Sequence, residues 1–299
     1  MEADRHFRAM GTTCQITLVG GTTTLLADLV GRVHDLEARW SRFDEHSELS
    51  MLNATAGDGP VAVSVETYRL IDTSVSAWRR TAGRFDPTIL DAVEANGYDR
   101  TYDAIPAGRA GREYQPRPIP GCWDIELDEA VQTVNWPVGV RLDPGGIGKG
   151  LAADIIAEEA LAAGATGVLV DIGGDIRVAG PGPADGAWIV DVDDPLRPDT
   201  SALHLAVTDV GIATSSRLRR HWIIDDEHRH HLLDPTTGRP TETDIVAATA
   251  ISASGWWSEA LTKALFVTGD LDTIPGTSAL MIHADGHYTA TPDLMELMS

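Results

Sequence analysis

Asp143-Pro144-Gly145-Gly146-Ile147-Gly148-Lys149-Gly150 is the stretch whose reading decides the fold of this chain. Before it, Val131 to Trp136 and Val138 to Leu142 read as a hairpin broken at Pro137; directly after it, Leu151 to Ala163 reads as a helix. Glycines and a lysine at a helix start let backbone N–H groups and an ammonium approach a phosphate closely, but the same run also suits a tight turn closing on a helix. It matches neither common nucleotide fingerprint. A P-loop needs Ser or Thr after its lysine, where this chain has Gly150. A dinucleotide fold needs Gly-x-Gly-x-x-Gly, whereas Gly146, Gly148 and Gly150 are evenly spaced.

Working outward, Thr12 to Val19 alternates with period two and is expected to be a strand ended by Gly20-Gly21. Leu25 to Trp40 places Leu25, Leu29, Val33, Leu36 and Trp40 on one helical stripe. Glu66 to Thr81 repeats that helical spacing and stops at Gly83. Tyr98 to Pro120 is rich in Arg, Gly, Pro and Tyr and reads as a long surface loop or lid. Beyond the glycine run, Gly167 to Asp171 reads as a buried strand, and Ile176 to Ala179, Ala187 to Val192 and Leu203 to Val207 extend its sheet. His221 to Ile224 with His231 to Leu233 forms a further hairpin candidate, Ile245 to Ser252 another strand, and Glu259 to Val267 a helix ended by Gly269. Strands and helices do not alternate strictly, so the order predicts an α+β fold over a doubly wound sheet.

The 299 residues, 43% hydrophobic, suffice for a sizeable core. A net charge of −22 repels nucleic acid and anionic lipid, and obliges any pyrophosphate site to bring its own cation or helix N-terminus. Cys14 and Cys122 are far apart, so neither a disulfide framework nor a thiolate metal site is indicated. No apolar run approaches the roughly 18 residues of a spanning helix. No signal peptide or lipid-attachment cysteine is visible either, so the expected location is the cytoplasm, with no membrane partner.

Three further stretches could carry chemistry. His230-His231-Leu232-Leu233-Asp234-Pro235-Thr236-Thr237-Gly238 sets a His in a short strand beside an Asp turn, where it could accept a proton from a hydroxyl; its histidines could equally belong to a solvated loop. Gly83-Arg84-Phe85-Asp86-Pro87-Thr88 by itself indicates only a turn. Trp257 to Val267 is a helix with Glu259 and Lys263 one turn apart. That spacing suits an ordinary ion pair, but the apolar surroundings suggest a buried helix start, where a carboxylate needs a cation.

Read together and in order, these stretches resemble the ApbE-like family of FAD:protein FMN transferases. The likeness runs through Met10-Gly11-Thr12, Ser41-Arg42-Phe43, Ser47 to Asn53, Gly83 to Thr88, Leu142 to Gly150, Asp171-Ile172-Gly173-Gly174-Asp175-Ile176, Ala213-Thr214-Ser215, His231 to Gly238 and Ser258 to Gly269. The resemblance implies an α+β fold of two similar interleaved halves, residues 1–299 forming a single flavin transferase domain with FAD held between the halves. It also implies Mg²⁺ on the pyrophosphate and transfer of FMN to a Thr or Ser hydroxyl of an acceptor flavoprotein, with release of AMP. Met10, Phe43, Arg84, Phe85, Asp86, Asp143 and Lys149 match flavin-contacting positions, and His231 matches the base that activates the acceptor hydroxyl. Those residue types suit such roles: Phe43 can stack on a flat ring, Asp86 and Asp143 can accept ring or ribose hydrogen bonds, and Lys149 can neutralise phosphate oxygens.

One departure stands out. The family's metal cage combines a backbone carbonyl at the position of Gly146 with an Asp and, four residues later, usually a Thr; here those two positions hold Glu259 and Lys263. Either Thr262 offers its hydroxyl as a ligand, or the Lys263 ammonium replaces the metal, which is favoured because Glu259 and Lys263 can pair across the vacated position. Two alternatives to the transferase share its site: a FAD pyrophosphatase using water as acceptor, and a flavin-binding protein with impaired turnover. The family usually modifies a short Asp-x-x-Ser/Thr-Gly-Ala/Ser-Thr motif, which this chain lacks, so self-modification is not expected.

Overall fold

A computed structural model describes residues 2–106, 115–183, 185–271 and 276–298. Its helices are α1 (Thr23–Trp40), α2 (Glu48–Ala54), α3 (Val65–Arg80), α4 (Leu90–Ala95), α5 (Gly148–Ala162), α6 (Gly255–Thr268) and α7 (Pro292–Met298). The chain divides into two compact units, each built from separated segments. Met1–Asp35, Ile147–Ser216 and Asp244–Ser299 make one; Leu36–Gly146 and Arg217–Thr243 make the other.

The first unit is built on an eight-stranded sheet whose neighbours are all antiparallel and follow one another in chain order. Its strands are Glu2–Ala9, Thr12–Val19, Gly167–Ile172, Asp175–Ala179, Gly211–Ser216, Ile245–Ser252, Ser278–His283 and Tyr288–Ala290. Side chains alternate across such a sheet, so each strand feeds two cores. One face carries Ile176, Val178, Ile212, Val246, Leu280 and Ile282, covered by Trp188, Val190, Leu203 and Leu205. Those covering residues lie on Trp188–Asp193 and Ser201–Val207, which pair with each other and not with the large sheet. The expectation that they extend the sheet is therefore corrected: their apolar residues alternate because they cap a sheet face. On the opposite face, α5 and α6 pack on each other and on the strands.

Helix α5 begins at Gly148, three residues earlier than its apolar spacing suggests. The reason is close approach. A Cβ on Gly150 would stand 2.4 Å from the Gly255 carbonyl oxygen, and one on Gly255 would stand 2.7 Å from that of Gly150, so only glycine at both positions lets the two helix starts touch. Gly150→Ala is expected to lower folding stability by about 1–3 kcal/mol through overpacking. An unchanged unfolding midpoint in denaturant would show that the helices can part without loss.

The second unit holds α2, α3 and α4, a three-stranded sheet and two short ribbons. Leu49 and Leu52 of α2, Ile71, Val75 and Trp78 of α3, and Val134, Trp136 and Leu142 share one core. Thr133–Asn135 pairs with Pro60–Ala62 and Glu126–Asp128. The hairpin expected across Pro137 is thus absent, and residues 138–142 run without strand pairing. Pro137 has no N–H for a ladder, and its carbonyl accepts the Val140 N–H in a turn through Gly139, whose φ is +76°. Within 98–120 the described residues form only a short 3₁₀ turn, Tyr102–Ala104, while 107–114 of the expected loop or lid lie outside the described residues. Both cysteines are free and buried, as packing residues would be. Among the described residues, no helix is long and apolar enough to cross a membrane.

Candidate active site

In the first unit, two tight turns stand side by side at one end of the sheet. Ala9 pairs with Thr12 and Ile172 with Asp175, so Met10-Gly11 and Gly173-Gly174 are each two-residue hairpin turns. All four have positive φ, as such turns require. Met10 is the exception in residue type, a half-buried non-glycine at φ +51°. The Gly173 N–H donates to the Thr13 carbonyl, which ties the turns together. Asp175, the first residue of its strand, directly follows the Gly173-Gly174 turn.

Asp175 is where the glycine-run lysine goes. The Lys149 ammonium bonds Asp175 Oδ2 and, at 2.5 Å, Glu259 Oε1. Glu259 is fully buried; its other oxygen accepts the Gly150 N–H at 2.8 Å, and Lys263 Nζ lies 3.5 Å from Oε1 one helical turn on. Two ammoniums and two carboxylates are thus gathered where α5 and α6 begin. Burial opposes the charge on Lys149, yet Asp175 and Glu259 together raise its pKa above the ordinary lysine range. Burial likewise opposes the Glu259 charge, but Lys149 and then Lys263 hold its carboxyl below the ordinary range. The Asp175 carboxyl is raised, first by burial and then by the neighbouring Glu259. Lys263 is lowered, chiefly by burial.

Nearby groups brace this cluster. Asp154 of α5 accepts the Gly255 and Trp256 N–H groups at 2.8 and 2.9 Å, capping α6 from a neighbouring helix, and burial pushes its pKa up to about 6. The Thr262 hydroxyl, fully buried, donates to the Glu259 carbonyl and lies 2.7 Å from Ser215 Oγ.

These side chains do not fit a divalent cation. Both Glu259 oxygens already face cations or an N–H, the Thr262 hydroxyl is engaged, and two ammoniums beside the same carboxylate would repel a doubly charged ion. Among the described residues, no group of three or more His, Cys, Asp or Glu side chains could hold a metal ion.

In the second unit, the turn at Gly83–Thr88 and the start of the glycine run come together. The Asp143 N–H donates to the Pro87 carbonyl, and Asn53 clamps the preceding residue by bonding both the N–H and the carbonyl of Leu142. Asp86 is buried and accepts the Thr88 N–H and hydroxyl; burial raises its pKa. Phe85 is buried, and Arg84 donates to the Thr81 carbonyl. Asp143 Oδ1 accepts the Gly145 N–H and lies 3.4 Å from Arg42 Nε. The Arg42 guanidinium lies 4.2 Å from the Phe43 ring centre and 4.5 Å from that of Tyr98. Phe43 is 41% exposed. Gly146 closes the 3₁₀ turn Pro144–Gly146.

The histidines are placed differently from the expected strand. Glu227–His230 pairs with His221–Ile224, and Leu233–Asp234 pairs with Arg239–Pro240, so His231 stands between two ribbons and in neither. Past the second ribbon's first strand, Asp234 starts a turn, accepting the Thr236 N–H and hydroxyl. Half-buried His231 has Nδ1 3.3 Å from the Arg220 carbonyl. A carbonyl can only accept, so Nδ1 is the donor in this contact. His230 differs: its Nδ1 accepts the Leu232 N–H, and burial followed by Arg217 lowers its pKa to about 4.

Asp175, Asp154 and Arg42 were not among the residues expected at the site. The first and third lie inside quoted stretches, Asp175 after a glycine pair and Arg42 before Phe43, but nothing local reveals their partners. The chain is an α+β protein, and each unit by itself carries polar groups at element ends, where catalytic residues are often found. A match to the ApbE family covers residues 10–275, and the chain belongs to that family. It is 28% identical over 273 residues to an FAD:protein FMN transferase of Treponema pallidum, covering 84% of this chain and 75% of the relative. It is 26% identical to one of Vibrio cholerae, covering 87% and 80%. The crystal structure of the ApbE protein from Thermotoga maritima superposes with a TM-score of 0.85 at 25% identity over the whole of both chains. The apo form of Pseudomonas stutzeri flavinyl transferase ApbE shares the fold, with a TM-score of 0.83 at 21% identity, covering 100% of this chain and 97% of that one.

Proposed function

We propose that this chain is an FAD:protein FMN transferase acting in the cytoplasm, moving FMN from FAD onto a Thr or Ser hydroxyl of an acceptor flavoprotein. The observation that carries the reading is the family match over residues 10–275, within which relatives named for this activity align. In the reaction, the acceptor hydroxyl oxygen forms a bond to the FMN phosphorus, and the bond from that phosphorus to the bridging oxygen breaks. AMP leaves with the bridging oxygen. His231, held by its Nδ1 contact with the Arg220 carbonyl, takes the hydroxyl proton. Phe43, an exposed residue, offers a face to the flavin, and Asp143 and Asp86 offer acceptors fixed by their own turns. Met10, Arg84 and Phe85 complete the flavin-contacting set. Mg²⁺, which the resemblance implies, enters no step, because Glu259 and Thr262 are committed to other partners.

The test follows AMP release from FAD, with and without an acceptor domain carrying the Asp-x-x-Ser/Thr-Gly-Ala/Ser-Thr motif. Acceptor-dependent AMP with flavin covalently attached to the acceptor is expected. Equal AMP release without acceptor would assign the site to a pyrophosphatase.

A further inference from the structure

Lys149 and Lys263 together balance Asp175 and Glu259. With a neutral residue at 263 the cluster would carry an excess negative charge, which is what draws a divalent ion to carboxylates. With Lys263 present that excess is gone, and an entering ion would meet two ammoniums. The geometry follows the charge. Glu259 Oε1 is shared by both lysines, and Oε2 is held by the Gly150 N–H, so neither oxygen is left for a metal. Thr262, the remaining candidate ligand on that helix turn, has its hydroxyl between the Glu259 carbonyl and Ser215. The carboxylates are 4% and 0% exposed, whereas the Lys149 and Lys263 side chains keep 19% and 17% exposure, so the lysine side chains and not the carboxylates are what reaches the surface. That is the arrangement of a site that meets an anion, with its negative groups serving to hold the cations in place.

We propose that this chain, given the FMN transferase reading above, holds and cleaves the FAD pyrophosphate without a resident divalent cation, the Lys263 ammonium supplying the positive charge in its place. Calorimetry of the full-length apoprotein with FAD, in EDTA and in Mg²⁺, and AMP release under the same two conditions, test it. FAD uptake and AMP release are expected to be unchanged by EDTA, and Mg²⁺ titrated alone into the apoprotein is expected to give no binding heat. Lys263→Thr removes the ammonium. It is expected to weaken FAD uptake in EDTA by about 10- to 100-fold, the loss of one charge-assisted contact, and to regain it when Mg²⁺ is added. Strict Mg²⁺ dependence of the wild type, reversed by EDTA, would overturn the proposal while leaving the transferase reading intact. So would a Lys263→Thr protein that matches the wild type in EDTA. If that variant does not fold, the wild-type comparison decides alone. Absence of FAD uptake under both conditions would instead remove the transferase reading, and this proposal with it.

Discussion

Lys149→Met is expected to lower folding stability by about 3–5 kcal/mol, the usual consequence of removing one partner from a buried ion cluster. The Lys149 ammonium is the only group bonded to both Asp175 and Glu259 among the contacts described, and those side chains are 4% and 0% exposed. Methionine fills a similar volume but leaves two carboxylates close together, with Lys263 at 3.5 Å from Glu259 as the remaining cation. For a chain of this size the loss corresponds to a fall of roughly 10 °C in the unfolding midpoint. The deficit should also depend on pH, with a definite sign. Without the cation, burial and mutual repulsion raise the folded-state pKa of the two carboxyls above their unfolded values. The folded variant then binds protons more readily than the unfolded chain, so its deficit is small at low pH and deepens as pH rises from about 4. Adding Asp175→Asn to Lys149→Met should recover part of the loss. A single variant that melts like the wild type across this pH range would show that Lys149 does not hold the cluster together.

His231→Ala is expected to reduce the rate of FMN transfer by about 10²- to 10⁴-fold, the range for a positioned general base. FAD affinity should change little, because the imidazole is asked to act on the acceptor proton and not on the flavin. His230 offers no substitute. Its Nδ1 is occupied by the Leu232 N–H and its pKa is lowered to about 4. Single-turnover transfer to an acceptor domain, with flavin binding measured in parallel, checks the expectation. Full transfer by His231→Ala would take this residue out of the mechanism.

Several elements follow from local pattern alone. Thr12–Val19 and Ile245–Ser252 are strands at the residues their composition and flanking turns predict. Helix α6 ends at Gly269, which takes the left-handed conformation at φ +63° that a helix terminus favours in glycine. Other elements were not legible. The strand Glu2–Ala9 holds five polar residues among its eight, and it is a strand because it pairs along its length with Thr12–Val19, which no reading of its own residues reveals. The start of α5 lay hidden in glycines that look like a loop until the Gly255 backbone is seen against them.

The candidate site divides along the same line. Sequence by itself determined the family, through blocks whose residue types and order recur, and with it the residues to examine: Met10, Phe43, Arg84 to Asp86, Asp143, Lys149, His231 and Glu259 to Lys263. Only the tertiary structure decided their partners. It set Lys149 on Asp175 and on a carboxylate 110 residues away, turned His231 Nδ1 toward a carbonyl 11 residues back, and left Thr262 bonded to Ser215. Periodicity and turn chemistry act over a few neighbouring residues, so a linear reading can find them. The pairing of buried charges depends on which segments the packed core brings together, and that is settled only when the whole chain is folded.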